Sequence, residues 1–166
     1  MIERANLCAK PVIVGTHMLE SMVRNAKPTR GEASDVASTV LDGADCLMLC
    51  RETSAGVFPL NSVSFLAKIC TEAERMVDHR RVYNDLRLYT GSLSFAQCES
   101  VAAAACSSVL DLSIDLIVVL TETGKIARMV AKYRPEVPIL ACSISMPIVR
   151  QLNTSRGVIV YKIPSF

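Results

Sequence analysis

Residues 10–59 constrain this chain most, because two short apolar runs there end in polar residues and enclose a single helix signal. The first run, Pro11-Val12-Ile13-Val14, passes into Gly15-Thr16-His17-Met18-Leu19-Glu20-Ser21-Met22, and the second, Cys46-Leu47-Met48-Leu49, passes into Cys50-Arg51-Glu52-Thr53. Between them Thr29-Arg30-Gly31-Glu32 has the spacing of a capping box, Val36, Ala37, Val40 and Leu41 recur at helical intervals, and Gly43 closes the turn. The pattern predicts a strand, helix, strand unit. In parallel α/β folds the crossover helices cover the sheet, so the polar groups just past the strand ends line the one open rim. Thr16 and Cys50 are therefore expected to look into one site.

The rest of the chain continues the alternation. Pro59 suits the first turn of a helix, and Val63, Leu66, Ala67, Cys70, Ala73 and Val77 make one apolar face opposite Lys68, Glu72, Glu74 and Arg75, which predicts a helix over about residues 59–80. Residues 83–97 lose that period and collect Gly91, Ser92 and Ser94, as a connection between domains would. A second helix follows on Val101, Ala102, Ala105, Cys106, Val109 and Leu110. The run Leu116-Ile117-Val118-Val119-Leu120 predicts a strand buried on both faces. Thr121-Glu122-Thr123-Gly124 leads into a helix with Ile126, Met129, Val130 and Tyr133 in step until Arg134-Pro135 stops it. Residues 138–142 make the next strand, Ser145 can cap a short helix through Leu152, and Gly157 releases residues 158–161 as a third strand. These elements predict a three-stranded parallel layer.

Composition narrows the class. With 166 residues, 51% hydrophobic, and a formal charge of +2, the chain suits one ordinary domain or two small ones. No apolar run approaches the roughly 20 residues that span a bilayer, and Met1-Ile2-Glu3-Arg4 lacks the apolar core of a secretory signal, so a cytoplasmic protein with no membrane partner is expected. Acidic and basic residues interleave, and the one dense basic cluster, His79-Arg80-Arg81, reads as a solvated helix end and not as a nucleic-acid groove. Seven cysteines without a C-x-x-C pair read as small buried residues in a reducing compartment.

The run Lys10-Pro11-Val12, Thr16-x-Met18-Leu19-Glu20-Ser21-Met22, Pro28-Thr29-Arg30-x-Glu32, Ser34-Asp35-Val36-Ala37, Val40-Leu41-Asp42-Gly43-Ala44-Asp45-Cys46, Met48-Leu49 and Glu52-Thr53 closely resembles pyruvate kinase. The likeness continues through Tyr133-Arg134-Pro135 and Arg150-Gln151 to Arg156-Gly157, and it is to the later part of that family's chain. It implies an α/β fold: the last two βα units of a TIM-type (β/α)8 barrel over residues 1–82, a linker over 83–97, and a partial three-layer α/β domain with a mainly parallel sheet over 98–166, incomplete at its C-terminus.

The resemblance also implies an activity, phosphoryl transfer from phosphoenolpyruvate to ADP giving pyruvate and ATP. It implies Mg2+ and K+ as cofactors, whose ligands are not in this chain, and a homo-oligomer, a tetramer. The magnesium carboxylates, the lysine and arginine that clamp the phosphoryl group, and the lid are absent from these residues, so the chain alone is expected to be inactive. Two strands cannot close a barrel and would leave apolar edges open. Two readings follow: a fragment of a working pyruvate kinase, or a decayed relative that keeps its subunit-facing surface as an interaction or regulatory module.

Spacing alone leaves Thr16 as a helix cap or a functional hydroxyl. The resemblance places it beside the carboxylate and reacting carbon of phosphoenolpyruvate, with Gly15, an alanine in the family, and His17, a glutamine there, as neighbours in the substrate site. His17 is either a general base or a neutral replacement for the amide. Cys50 replaces a serine of the proton-delivery network, and a thiol is the weaker donor and acceptor. Arg51 replaces a glycine. If that glycine marks positive φ, a Cβ there costs on the order of 1–2 kcal/mol; otherwise the side chain points to solvent. The second candidate, Thr121, Glu122, Thr123, Gly124, Lys125 and Ile126, combines hydroxyls, amides and a lysine at a helix start, read either as an ordinary cap or as a phosphate grip. The resemblance matches it to the effector-phosphate loop of regulated pyruvate kinases, although Glu122 adds negative charge and Ile126 stands where a serine is usual.

Overall fold

The computed structural model describes residues 1–15, 17–90 and 97–165. The backbone divides into two units, Val12–Val77 with Ile2, and Asp78–Phe166 with Met1 and Glu3–Pro11. The short helix α1 (Ile2–Leu7) thus falls almost entirely in the second unit, where Asn6 Oδ1 accepts a bond from Arg134 Nη2 at 3.1 Å.

In the first unit β1 (Ile13–Gly15) and β2 (Cys46–Met48) pair in parallel, with Gly15 opposite Met48. The crossover is a 3-10 turn (Glu20–Val23) followed by α2 (Arg30–Leu41). The capping box forms as the spacing predicts: Thr29 Oγ1 accepts from Glu32 N–H at 3.3 Å and the Glu32 carboxylate accepts from Thr29 N–H at 2.8 Å. After β2 come α3 (Arg51–Ser54) and α4 (Pro59–Glu74). Met18, Leu19, Met22 and Val36 are buried together, with Val14, Leu47, Leu49, Phe65, Leu66, Ile69 and Cys70 packed against them. Each such full burial is worth about 1.5–3 kcal/mol, so the turn after β1 is anchored by its own apolar residues. Ile13 and Met48 of the two strands remain exposed, as do Leu60 and Val63 of α4.

The second unit holds α5 (His79–Thr90), α6 (Gln97–Asp111), β3 (Ile117–Leu120), α7 (Lys125–Lys132), β4 (Ile139–Ser143), α8 (Met146–Leu152) and β5 (Val158–Lys162). Its sheet is parallel in the order β3-β4-β5, as the alternation predicts. The core gathers Ala102, Ala103, Cys106, Val119, Ala127, Val130, Ala131, Tyr133, Ile139, Ala141 and Leu152. Buried within this unit, Glu99 accepts from Lys132 Nζ at 2.8 Å and from the Tyr133 hydroxyl, so the charge is paired as burial demands.

Four expectations are corrected. The helix over residues 59–80 is two helices, because Asp78 Oδ1 accepts from Arg81 N–H at 2.9 Å and caps a new start at His79. Residues 83–90 are the body of that helix and not a structureless connection; Tyr83 and Leu86 pack on the core while Arg81 and Asp85 stay outside. Residues 91–96 of the expected linker lie outside the described residues. The β3 strand is buried on one face only: Val119 is 7% exposed, but Val118 and Leu120 are 57% and 61% exposed, and Ile159 and Tyr161 of β5, in register with them across β4, are exposed as well. An all-apolar strand hides its alternation. Ser145 occupies the N-cap position of α8, but its side chain makes no capping bond.

The seven cysteines are free thiols, and only Cys106 and Cys142 are buried. Burial pushes the Cys106 thiol up to about 12, so it stays protonated and behaves as a small apolar residue.

Candidate active site

The parallel register sets the rim. With Gly15 opposite Met48, the segments that follow both strands leave the sheet at the same end. Thr16, the foremost candidate, lies outside the described residues. Its neighbours are placed. A Cβ on Gly15 would come within 2.5 Å of Met48 Cε, the movable tip of a side chain, and 3.3 Å from Met48 Cβ. His17 is exposed and has φ 54, a left-handed conformation that L-residues rarely adopt. Its Nδ1 lies 3.9 Å from Glu20 Oε2.

Glu52 ties the two segments together. It is 1% exposed, and its carboxylate accepts from Leu19 N–H at 3.1 Å with one oxygen and from Cys50 N–H at 2.9 Å with the other. One buried side chain therefore fixes the path of both strand-end segments. Burial pushes its carboxyl up and the charge of Glu32 adds to that, but the amides of Glu52 itself, Cys50 and Leu19 outweigh them and hold it below the usual carboxylate range. In the sequence Glu52 falls within the Glu52-Thr53 motif, whose spacing assigns it no role. The available signal was a carboxylate three residues past the apolar run that ends at Leu49, where burial demands partners.

Cys50 is the N-cap residue of α3 and half-buried; its thiol makes no capping bond, while its carbonyl accepts from Thr53 Oγ1 at 3.2 Å. Arg51 opens α3 in helical backbone, so the feared Cβ penalty at positive φ does not arise, and its side chain is not simply solvated. Arg51 Nη1 donates to Glu20 Oε1 at 2.7 Å. A third carboxylate completes the set: Glu32, at the start of α2, accepts from Ser21 N–H at 2.7 Å, from Ser21 Oγ, and from Thr29. Burial pushes Glu32 up, and those Ser21 and Thr29 bonds bring it below its ordinary value.

The 121–126 loop belongs to the other unit. Thr121 is buried, its N–H donates to Cys142 O at 2.9 Å, and its Oγ1 accepts from Gly124 N–H at 2.9 Å. Thr123 Oγ1 accepts from Lys125 N–H at 3.4 Å. Gly124 has φ 74, and a Cβ there would stand 3.2 Å from both Ile148 and Leu152, so the turn requires glycine. Ile126 packs against the core, while Glu122 and Lys125 are exposed. Both hydroxyls of this loop thus serve its own amides.

Among the described residues no group of three or more His, Cys, Asp or Glu side chains converges as a metal site would require. Glu20, Glu32 and Glu52 lie close in the fold, but each carboxylate is already engaged by guanidinium, hydroxyl or amide donors. Among the described residues no helix is long and apolar enough to cross a membrane.

The sequence matches two family descriptions, "Pyruvate kinase, barrel domain" over residues 1–63 and "Pyruvate kinase, alpha/beta domain" over residues 99–166. It is 46% identical to a pyruvate kinase of Eimeria tenella over all of this chain and 31% of that protein. It is 44% identical to the pyruvate kinase of Dictyostelium discoideum over 99% of this chain and 33% of that one. A crystal structure of pyruvate kinase from Cryptosporidium parvum superposes with TM-score 0.93 at 40% identity, over 99% of this chain and 33% of its own. A second, in complex with ADP, gives TM-score 0.89. The chain spans about a third of the length of these relatives. Its α/β fold with two parallel sheets fits a piece of the barrel followed by the α/β domain, and the chain belongs to the pyruvate kinase family.

Proposed function

We propose that this chain supplies one wall of an active site that transfers the phosphoryl group of phosphoenolpyruvate to ADP and then protonates the enolate to pyruvate. The observation that carries the reading is the Glu52 bridge, which holds the segment bearing Thr16 to the segment bearing Cys50. In this reading the Thr16 hydroxyl donates to the substrate carboxylate, a charge-assisted bond worth roughly 1.5–3 kcal/mol. Gly15 and His17 flank the bound acid, and the Cys50 thiol stands in the path of the proton that reaches the enolate. Glu52 contributes by holding its neighbours in place and not by proton transfer, since both its oxygens already accept amide bonds.

The Mg2+ and K+ implied by the family do not fit the residues described here, which bring no group of three or more His, Cys, Asp or Glu side chains together as a metal site would require. No step is therefore assigned to a metal held by these residues. The rest of the reading follows the family: ADP as the acceptor, a homotetramer in the cytoplasm, and a barrel part followed by an α/β part. At Thr121 to Ile126 an effector phosphate would compete for the Gly124 and Lys125 amides, which now donate to the hydroxyls of Thr121 and Thr123. The reading as a decayed interaction module is not favoured, because the relatives it matches are pyruvate kinases of which this chain covers about a third.

The test is to isolate, with an antibody to residues 79–90, the polypeptide that carries this sequence in its source cells, measure its intact mass, and assay pyruvate formation. A species about three times the 18.0 kDa of this chain that makes pyruvate supports the reading. A species of that size without turnover in the presence of Mg2+, K+, phosphoenolpyruvate and ADP contradicts it.

A further inference from the structure

Resting on that reading, we infer that Arg51 is a positioning residue: through Glu20 it is a second, solvent-side tie that holds the segment after β1 against α3. Carboxylates act on this segment at three points. Glu52 takes the amide of Leu19, Glu32 takes the amide and hydroxyl of Ser21, and Glu20, within the segment, takes the guanidinium of Arg51 with one oxygen while the other lies 3.9 Å from His17. The first two fix the backbone at residues 19 and 21. Neither bonds to His17, which holds a left-handed conformation at the end of the segment nearest the strand.

Glu20 is the group that links that end to α3. It lies between one cation that is permanent and one histidine that is not, and the permanent one arrives from the other strand end. Arg51 is two-thirds exposed, with a side-chain exposure of 66%. An exposed pair of this kind contributes little to global stability. Its role is local: it restricts residues 17–20, and a reacting group next to that stretch is sensitive to displacements of an ångström or less. A glycine at this position cannot make the tie. This chain therefore fixes by a side chain what a glycine there leaves unrestrained.

The experiment compares Arg51→Ala, Arg51→Lys and Glu20→Gln in the full-length polypeptide isolated above. It reads the ring resonances of His17 by NMR, hydrogen exchange over residues 17–20, and kcat/KM for phosphoenolpyruvate. Arg51→Ala and Glu20→Gln are expected to shift the His17 resonances and raise local exchange about twofold to fivefold. The resonances of His79, in the other unit, should not move. Arg51→Lys should restore both, with kcat/KM falling by the same factor in the alanine variant and recovering in the lysine variant. Wild-type His17 resonances and exchange in Arg51→Ala would overturn the inference, as would a lysine variant that behaves like alanine. If the unaltered polypeptide makes no pyruvate, the proposed activity falls, and resonances and exchange alone still decide the role of Arg51.

Discussion

The two candidate loops use the same materials, a strand end, hydroxyls and a helix start, and connect them in opposite ways. In the 121–126 loop the polar groups serve the loop itself: Thr121 closes on Gly124 and Thr123 on Lys125. At the ends of β1 and β2 they reach across about thirty residues of chain, with Glu52 bonded to Leu19 and Arg51 to Glu20. A loop satisfied internally is a stable turn that has little left to offer a ligand. A pair of segments held by a third residue is a frame whose own hydroxyl and thiol can be aimed elsewhere. That difference separates the stronger site from the weaker one better than residue type does.

The comparison breaks most visibly at Glu52. Replacing it with alanine leaves two buried amides without acceptors, at about 1–3 kcal/mol each, so unfolding by denaturant should show a loss of roughly 2–6 kcal/mol. A loss near zero would mean that water replaces the bridge. Next, Thr16→Val in the full-length protein should lower turnover at least tenfold, about 1.4 kcal/mol or more; an unchanged rate would remove Thr16 from the mechanism.

For the other loop, Thr121→Val leaves the Gly124 amide without its acceptor and should cost about 1–3 kcal/mol in stability without changing turnover. A change in turnover with unaltered stability would invert the comparison. The smallest effect is the response to acid. Glu52 and Glu32 both have carboxyls held below the ordinary 4.5, so the stability they contribute is present above that value and is lost as pH falls through their lower folded values. Acid denaturation of the Glu32→Gln protein should accordingly be less steep below pH 4.5 than that of the unaltered protein.

Local chemistry was legible in the sequence, and distant partnership was not. The capping box of Thr29 and Glu32 was readable because both bonds span three residues. The same Glu32 also binds Ser21, eleven residues away, and nothing in the spacing announces it. The parallel sheets followed from alternation of strands and helices. The helix at His79–Thr90 was missed because its apolar face is thin and its cap, Asp78, sits inside what read as a longer helix. The open face of β3 was hidden by the uniformity of Val118, Val119 and Leu120, since burial depends on what packs above and not on the strand. At the site, Thr16 and Cys50 were legible as strand-end residues. Glu52 was not, because its importance lies in bonds to two main-chain amides that only the fold brings together.

The most direct test of the account is the hydrogen exchange of the Leu19 and Cys50 amides in the full-length polypeptide, with and without Glu52→Ala. One bridge predicts that both amides are protected in the unaltered protein and lose protection together in the variant, with a parallel fall in pyruvate formation. Loss of protection at only one amide, or full turnover after both are lost, would contradict the claim that Glu52 joins two strand ends into one site.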